Sequence, residues 1–171
     1  MINVKNTFWL LLLFFLVTTV HAQEDKPYVE PTGLNNWYIE LGGASMFYSF
    51  NYEKILFKSE YTRLVGRVGL GYNPFDYTFL NKVHLDRNTV MAPFTSSFLF
   101  GHGKEKFEVG AGFTLLAKNI NDREIVPTGV LGFRVIETNK VCFRITYTPF
   151  IRDGKYVDWW GVSLGRNFNF K

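Results

Sequence analysis

The sequence predicts an all-β fold, an eight-stranded antiparallel up-and-down transmembrane β-barrel, and three observations carry that prediction. From Trp37 onward apolar residues recur at period two, with no helical apolar period of any length. The polar faces of the resulting strands are lined with glycine rather than with Lys and Glu. Short and long connections alternate along the chain, as in bacterial membrane barrels.

The chain opens on an address. Lys5 precedes an apolar run at 8–17, and Val20-His21-Ala22 supplies small or apolar residues for cleavage before Gln23. The run is about half the ~20 residues a spanning helix needs, which favours a cleaved signal peptide at 1–22 over an anchor. No cysteine lies near the cleavage point to take a lipid. Residues 23–36 hold Pro27, Pro31 and Gly33 among polar neighbours and read as an N-terminal linker. The barrel domain is expected at 37–171, with strands at 37–43, 46–57, 62–72, 89–100, 107–116, 125–136, 140–150 and 159–170. Only Cys142 is available as a thiol, so no internal disulfide stabilises the exported domain, and closure of the sheet is one alternative source of stability.

The strands have two unlike faces. In the fifth, Phe107, Val109, Ala111, Phe113 and Leu115 oppose Glu108, Gly110, Gly112 and Thr114. The seventh sets Val141, Phe143, Ile145 and Tyr147 against Cys142, Arg144, Thr146 and Thr148. The eighth sets Trp160, Val162, Leu164, Phe168 and Phe170 against Gly161, Ser163, Gly165, Asn167 and Asn169. In the third, Leu64, Val68, Leu70 and Tyr72 oppose Val65, Arg67, Gly69 and Gly71. A soluble sandwich or lipocalin buries the apolar face, whereas a membrane barrel turns it toward lipid. Glycine weakens a solvated strand but suits the cramped interior of a narrow barrel, so the second orientation is preferred. The Gly-x-Trp of lipocalin-like proteins is also missing, because Trp37 follows Asn35-Asn36.

The connections at 58–61, 101–106 and 137–139 are short, and those at 73–88, 117–124 and 151–158 are long; the first, at Gly43-Ala44-Ser45, is tight. Seven of the eight expected strands reach the ~9–11 residues that a tilted strand needs to cross a bilayer. Aromatics gather near strand ends, at Trp37, Tyr72, Phe100, Phe107, Phe150, Trp159 and Trp160, as an interfacial girdle requires. Phe168 and Phe170 resemble the C-terminal signal read by the barrel-assembly machinery, although Lys171 follows.

Eight strands leave an interior that side chains fill, not an open pore. Parity points Glu40, Glu53, Arg67, Glu108, Arg134 and Arg144 inward, a set of three acids and three bases. Hairpin arithmetic places Glu53 opposite Arg67 and Glu108 opposite Arg134, while Glu40 and Arg144 flank the eighth strand. Buried charges are tolerated when paired and hydrogen-bonded, so these six are expected to form ion pairs that plug the lumen. Arg166 shares the parity of lipid-facing Leu164 and Phe168, which calls for snorkelling at an interface or for a bulge.

A search for chemistry finds little. His84 and Asp86 share the 73–88 loop, but neither His84-Leu85-Asp86 nor His102-Gly103-Lys104 matches the His-x-Ser element of lipid A deacylases. Ser96-Ser97 has no adjacent base in sequence. No Cys/His cluster has metal spacing, Gly101-His102-Gly103-Lys104 reads as a turn, and Asn119-Ile120-Asn121-Asp122 has too few carboxylates for calcium. No catalytic, cofactor-binding or metal residue is therefore expected, and no cofactor. The net charge of +4 comes from interleaved signs, with no stripe for nucleic acid.

The segments WYIELGGASMFYSFNYEKIL, RVGLGY, LFGHGKEKFEVGAGFT, GFRVIETNKVCFRITYTPF and GVSLGRNF together resemble the small outer-membrane β-barrel proteins of Bacteroidetes-type bacteria. The likeness runs from Trp37 to Phe170 and rests on strand and turn patterns. It implies a barrel in the bacterial outer membrane, with outer-membrane lipid and the assembly machinery as partners, and carries over no catalytic or binding residues. The expected function is a non-enzymatic barrel, structural or binding an external ligand or protein through its loops. The alternatives are a lipid-modifying barrel enzyme using His84 and Asp86, and a secreted lipocalin-like carrier.

Overall fold

The structure, a computed structural model, describes residues 35–79, 83–101, 103–119, 122–137 and 140–168. The expected signal peptide, most of the linker, His102, Phe170 and Lys171 lie outside the described residues. Twelve strands are formed by the described residues: β1 (Asn35–Gly42), β2 (Tyr48–Lys58), β3 (Thr62–Asn73), β4 (Tyr77–Phe79), β5 (Val83–Leu85), β6 (Thr89–Phe100), β7 (Glu105–Asn119), β8 (Asp122–Ile136), β9 (Val141–Tyr147), β10 (Phe150–Arg152), β11 (Lys155–Val157) and β12 (Trp160–Phe168). Eight of them, β1, β2, β3, β6, β7, β8, β9 and β12, pair antiparallel in turn, and the β12–β1 and β8–β9 ladders close the barrel. These eight correspond one for one to the eight expected strands.

Alternation decides which side chains face out. Ile39, Leu164 and Phe143 lie side by side across β1, β12 and β9 and are 54%, 60% and 42% exposed. One residue along each strand, Glu40, Ser163 and Arg144 form the neighbouring row and are buried. The outer surface is an apolar girdle that includes Leu70, Phe98, Phe113 and Leu131. Phe94 and Phe113 stack on it at 5.4 Å, and Trp37 stacks on Phe50 at 6.1 Å. Charged groups inside and bulky apolar groups outside are the reverse of a soluble barrel.

The connections differ from expectation at three places. The 117–124 region is no long loop: β7 and β8 run to 15 residues each and pair as far as Asn119↔Asp122. Their upper residues Leu116 and Val126 are buried in an apolar cluster, which rewards extending the ladder. The other two long connections carry hairpins, β4–β5 within 73–88 and β10–β11 within 151–158. The second turns on Asp153 (φ 52°) and Gly154 (φ 69°), a pair suited to the left-handed conformation that two-residue hairpin turns require. The seventh expected strand also stops early, at Tyr147, because Pro149 has no N–H for the ladder; the chain then shifts to β8, pairing Phe150 with Thr128. Arg166 lies on the exposed face in an unbroken register with Trp37 and Val141, so no bulge explains it.

Candidate functional site

The middle of the lumen is a polar network built from six strands. Arg134 on β8 grips Glu53 on β2 with two parallel bonds, Nη1–Oε1 at 2.6 Å and Nη2–Oε2 at 3.0 Å. The same guanidinium reaches Glu108 on β7 at 2.6 Å through Nη2 and 3.2 Å through Nε. Arg67 on β3 pairs with Glu40 on β1 and donates to Asn51 Oδ1 at 3.0 and 2.9 Å. Arg144 on β9 lies 3.2 Å from Glu108 and 3.8 Å from Glu40, and donates to the Tyr38 hydroxyl at 2.6 Å. Carboxylate and guanidinium thus alternate around the interior, and every one of these side chains is almost wholly buried.

The six residues expected inside are all inside, but their pairing departs from hairpin arithmetic. Glu53 and Arg67 do sit opposite each other on β2 and β3. No ion pair joins them among the described residues: Arg67 turns to Glu40 and Asn51, and Glu53 takes Arg134 from across the lumen. A narrow closed barrel brings opposite walls within reach of long side chains, so partners need not be adjacent. Glu108 lies opposite Gly132, not Arg134, because the hairpin turns between Asn119 and Asp122, which moves its partner by one residue, and the register shift between Ala117 and Asn119 moves it by one more. The pair still meets, diagonally.

Charge balance inside is also different from the expected three and three. Arg63 and Lys106 are buried in the same interior, giving five bases against Glu40, Glu53 and Glu108 among the described residues. Arg63 shares the parity of Arg67 within the expected third strand. Lys106 sits one residue before the expected start of the fifth, and its Nζ donates to the Gly101 carbonyl at 2.9 Å.

Tyr38 shares parity with Glu40 and belongs to the network, a role that no charge on its side chain announces in the sequence. Its ring lies near both guanidiniums, with its centroid 5.4 Å from Arg67 and 5.0 Å from Arg144, within reach of cation–π contact with each. Gly165 makes that possible, because a Cβ there would collide with the Tyr38 side chain. Gly43 does the same for Glu40, whose carboxyl group occupies the space an added Cβ would need, and its φ of 67° favours glycine independently. Beside Glu53 and Arg134 a cavity of ≈ 10 Å³ has room for about one water. The interior is filled, not tubular.

A second, unlike plug closes the end where the long connections lie. The tight Gly43–Ser45 turn folds inward and is buried, with Thr114 donating to the Ala44 carbonyl at 2.5 Å. Above it Met46, Phe79, Val83, Leu85, Met91, Leu116, Val126, Phe150 and Val157 form one apolar cluster. The Phe79 ring meets Trp159 edge-on at 4.7 Å and Phe150 at 5.6 Å. This cap is a small soluble-type core in which Phe79, Val83, Leu85 and Val157, from connections that read as loops, pack on the ends of barrel strands. Arg152 ties its hairpins together, donating to the His84 carbonyl at 2.5 Å and to Glu124 at 2.9 Å.

His84 and Asp86 share the outer face of the β4–β5 hairpin. The His84 side chain is 55% exposed, with Thr78 Oγ1 at 3.1 Å from Nδ1. Its Nε2 lies 3.9 Å from Asp76 and 3.8 Å from Asp86, beyond hydrogen-bond reach of both. Sequence spacing concealed Asp76, which strand pairing alone brings to the imidazole.

Comparison with known proteins supports the architecture. No family model matches the chain, and no curated protein matches it. Among solved structures it is similar to the Yersinia pestis outer membrane protein Ail, whose backbone structure was determined in a phospholipid bilayer nanodisc. The likeness covers 80% of this chain and 99% of that one, at a TM-score of 0.53 and 12% identity. At that identity the shared property is the fold. This chain folds as a closed eight-stranded antiparallel β-barrel.

Proposed function

We propose that this protein is a non-enzymatic bacterial outer-membrane barrel that spans the lipid with its eight strands and presents its capped end to the exterior. The carrying observation is the inverted amphipathicity: a broad, mainly apolar girdle surrounds a charged interior. In water that girdle would be an aggregation surface far larger than monomers tolerate; in hydrocarbon it is the stable arrangement. The likeness to Ail supports a membrane setting, and the strand patterns that resemble Bacteroidetes-type barrels support the family. The two plugs favour a structural or ligand-presenting role over a conducting one. Outer-membrane lipid and the assembly machinery are the partners this reading needs.

Fractionation tests it. The protein is expected in the outer membrane, with faster gel mobility unboiled than boiled, and without steady conductance in planar bilayers. Recovery as a soluble periplasmic protein would instead support the carrier reading. The lipid-modifying reading has one observation in its favour, the Thr78 hydroxyl beside the His84 imidazole. Its side chains are open to water, and altered lipid profiles on His84→Ala would be its signature.

A further inference from the structure

We propose that Asp76, His84 and Asp86 form a binding site for a divalent transition metal of the zinc class on the β4–β5 hairpin. The site rests on hairpin geometry and is independent of the membrane reading. Tyr77↔Leu85 is the last pair of the hairpin, and Asp76 and Asp86 flank its base one position further on. Thr78 and His84 face each other one pair inward from Tyr77↔Leu85, so parity puts all four side chains on one face.

Two carboxylates flanking one hairpin repel, and like charges so placed destabilise it unless a cation lies between them. Lys118 Nζ lies 3.2 Å from Asp86 and supplies one positive charge. Arg152 is engaged elsewhere, with Glu124 and the His84 carbonyl. One negative charge remains. The third group facing the gap is an imidazole nitrogen, and its distances of 3.9 and 3.8 Å to the carboxylates are too long for hydrogen bonds.

Those distances suit an ion. Zinc holds His nitrogen at about 2.0–2.1 Å and carboxylate oxygen at about 2.0–2.2 Å, so in its tetrahedral geometry two ligand atoms stand about 3.4 Å apart. The three ligand atoms here lie within 4.8 Å of one another; the Arg87 N–H holds Asp76 Oδ1 at 2.9 Å, and rotation of the Asp86 carboxylate and the His84 ring closes the difference. In the tautomer whose Nδ1–H donates to the Thr78 hydroxyl, the lone pair is on Nε2, the nitrogen nearest both carboxylates, and such an outer partner is what orients metal-binding histidines. One imidazole and two carboxylates select an imidazole-accepting ion over calcium, which prefers oxygen alone. Bound there, the ion would clip the base of a hairpin whose Phe79 anchors the apolar cap.

Titration calorimetry on the full chain refolded in detergent micelles, without an affinity tag, tests the site with Zn²⁺ and separately with Ca²⁺. One Zn²⁺ per barrel is expected, with a dissociation constant below about 100 µM. His84→Ala and the more conservative His84→Gln should each weaken binding about tenfold or more, and Asp76→Asn should weaken it as well. Lys118→Ala, which removes the competing ammonium, should tighten it. Unboiled gel mobility confirms that each variant is a folded barrel. Zinc binding only in the millimolar range, or affinity unchanged by both His84 variants, overturns the proposal. Calcium binding equal to zinc and insensitive to His84 would overturn it too, marking a simple acidic surface.

Discussion

The two plugs of this barrel fill the same lumen by opposite physics. The middle is closed by buried charges held in alternating carboxylate–guanidinium contacts, with Tyr38 close to both Arg67 and Arg144. The loop end is closed by Met46, Phe79, Leu85, Phe150 and their neighbours, a hydrophobic core in miniature. The difference follows from where each set of residues comes from. Within the girdle, strand alternation sends every second residue inward and leaves the apolar ones facing outward. Beyond the girdle, connections meet water on their outer side, and apolar side chains gain by packing against one another. Charges fix one geometry because each needs its partners; the apolar cluster is ordered by shape and contact.

Breaking the charged plug should have the larger effect. Arg134→Met strips both Glu53 and Glu108 of their main partner and should destabilise the barrel by about 3–5 kcal/mol, measured by urea unfolding of the refolded protein. Adding Glu53→Gln and Glu108→Gln to that variant should restore most of the loss, because the uncompensated charges are removed. A triple variant no more stable than the single one would show that packing of the guanidinium, not its charge, matters.

Phe79→Ala probes the other plug. It removes a ring buried against Trp159 and Phe150, with an expected loss of about 3 kcal/mol confined to the capped end. Faster proteolysis of the 73–88 region with an unchanged barrel unfolding midpoint is the predicted signature. A fall in that midpoint equal to that of Arg134→Met would mean that the plugs unfold as one unit. The junction between them is the Thr114 hydroxyl on the inward-folded turn. Thr114→Val should cost about 1–2 kcal/mol by leaving the Ala44 carbonyl unpaired, seen as faster amide exchange around Ala44.

Parity and its consequences are legible in the chain itself. Eight strands, the side each faces and the inward placement of Glu40, Glu53, Arg67, Glu108, Arg134 and Arg144 all follow from period two, since a strand's pleat sends neighbouring side chains to opposite faces. Residues 151–158 read as a long loop, and the structure shows instead that Asp153-Gly154 turns a β10–β11 hairpin between Ile151 and Tyr156. Nor is the extension of β7 and β8 through 117–124 legible, because its stabilisation comes from Leu116 and Val126 meeting residues far away in sequence.

The amino-acid order by itself determined the alternation, and with it a charged interior wrapped in apolar side chains, because the pleat of a strand is a local property of the backbone. Closure of the sheet decided who meets whom. Glu53 leaves Arg67, its neighbour across the β2–β3 hairpin, for Arg134, 81 residues away, because a narrow cylinder makes the opposite wall as near as the next strand. The same closure brings Phe79 from one connection onto Phe150 and Trp159 of another to form the cap, contacts that no sequence period encodes.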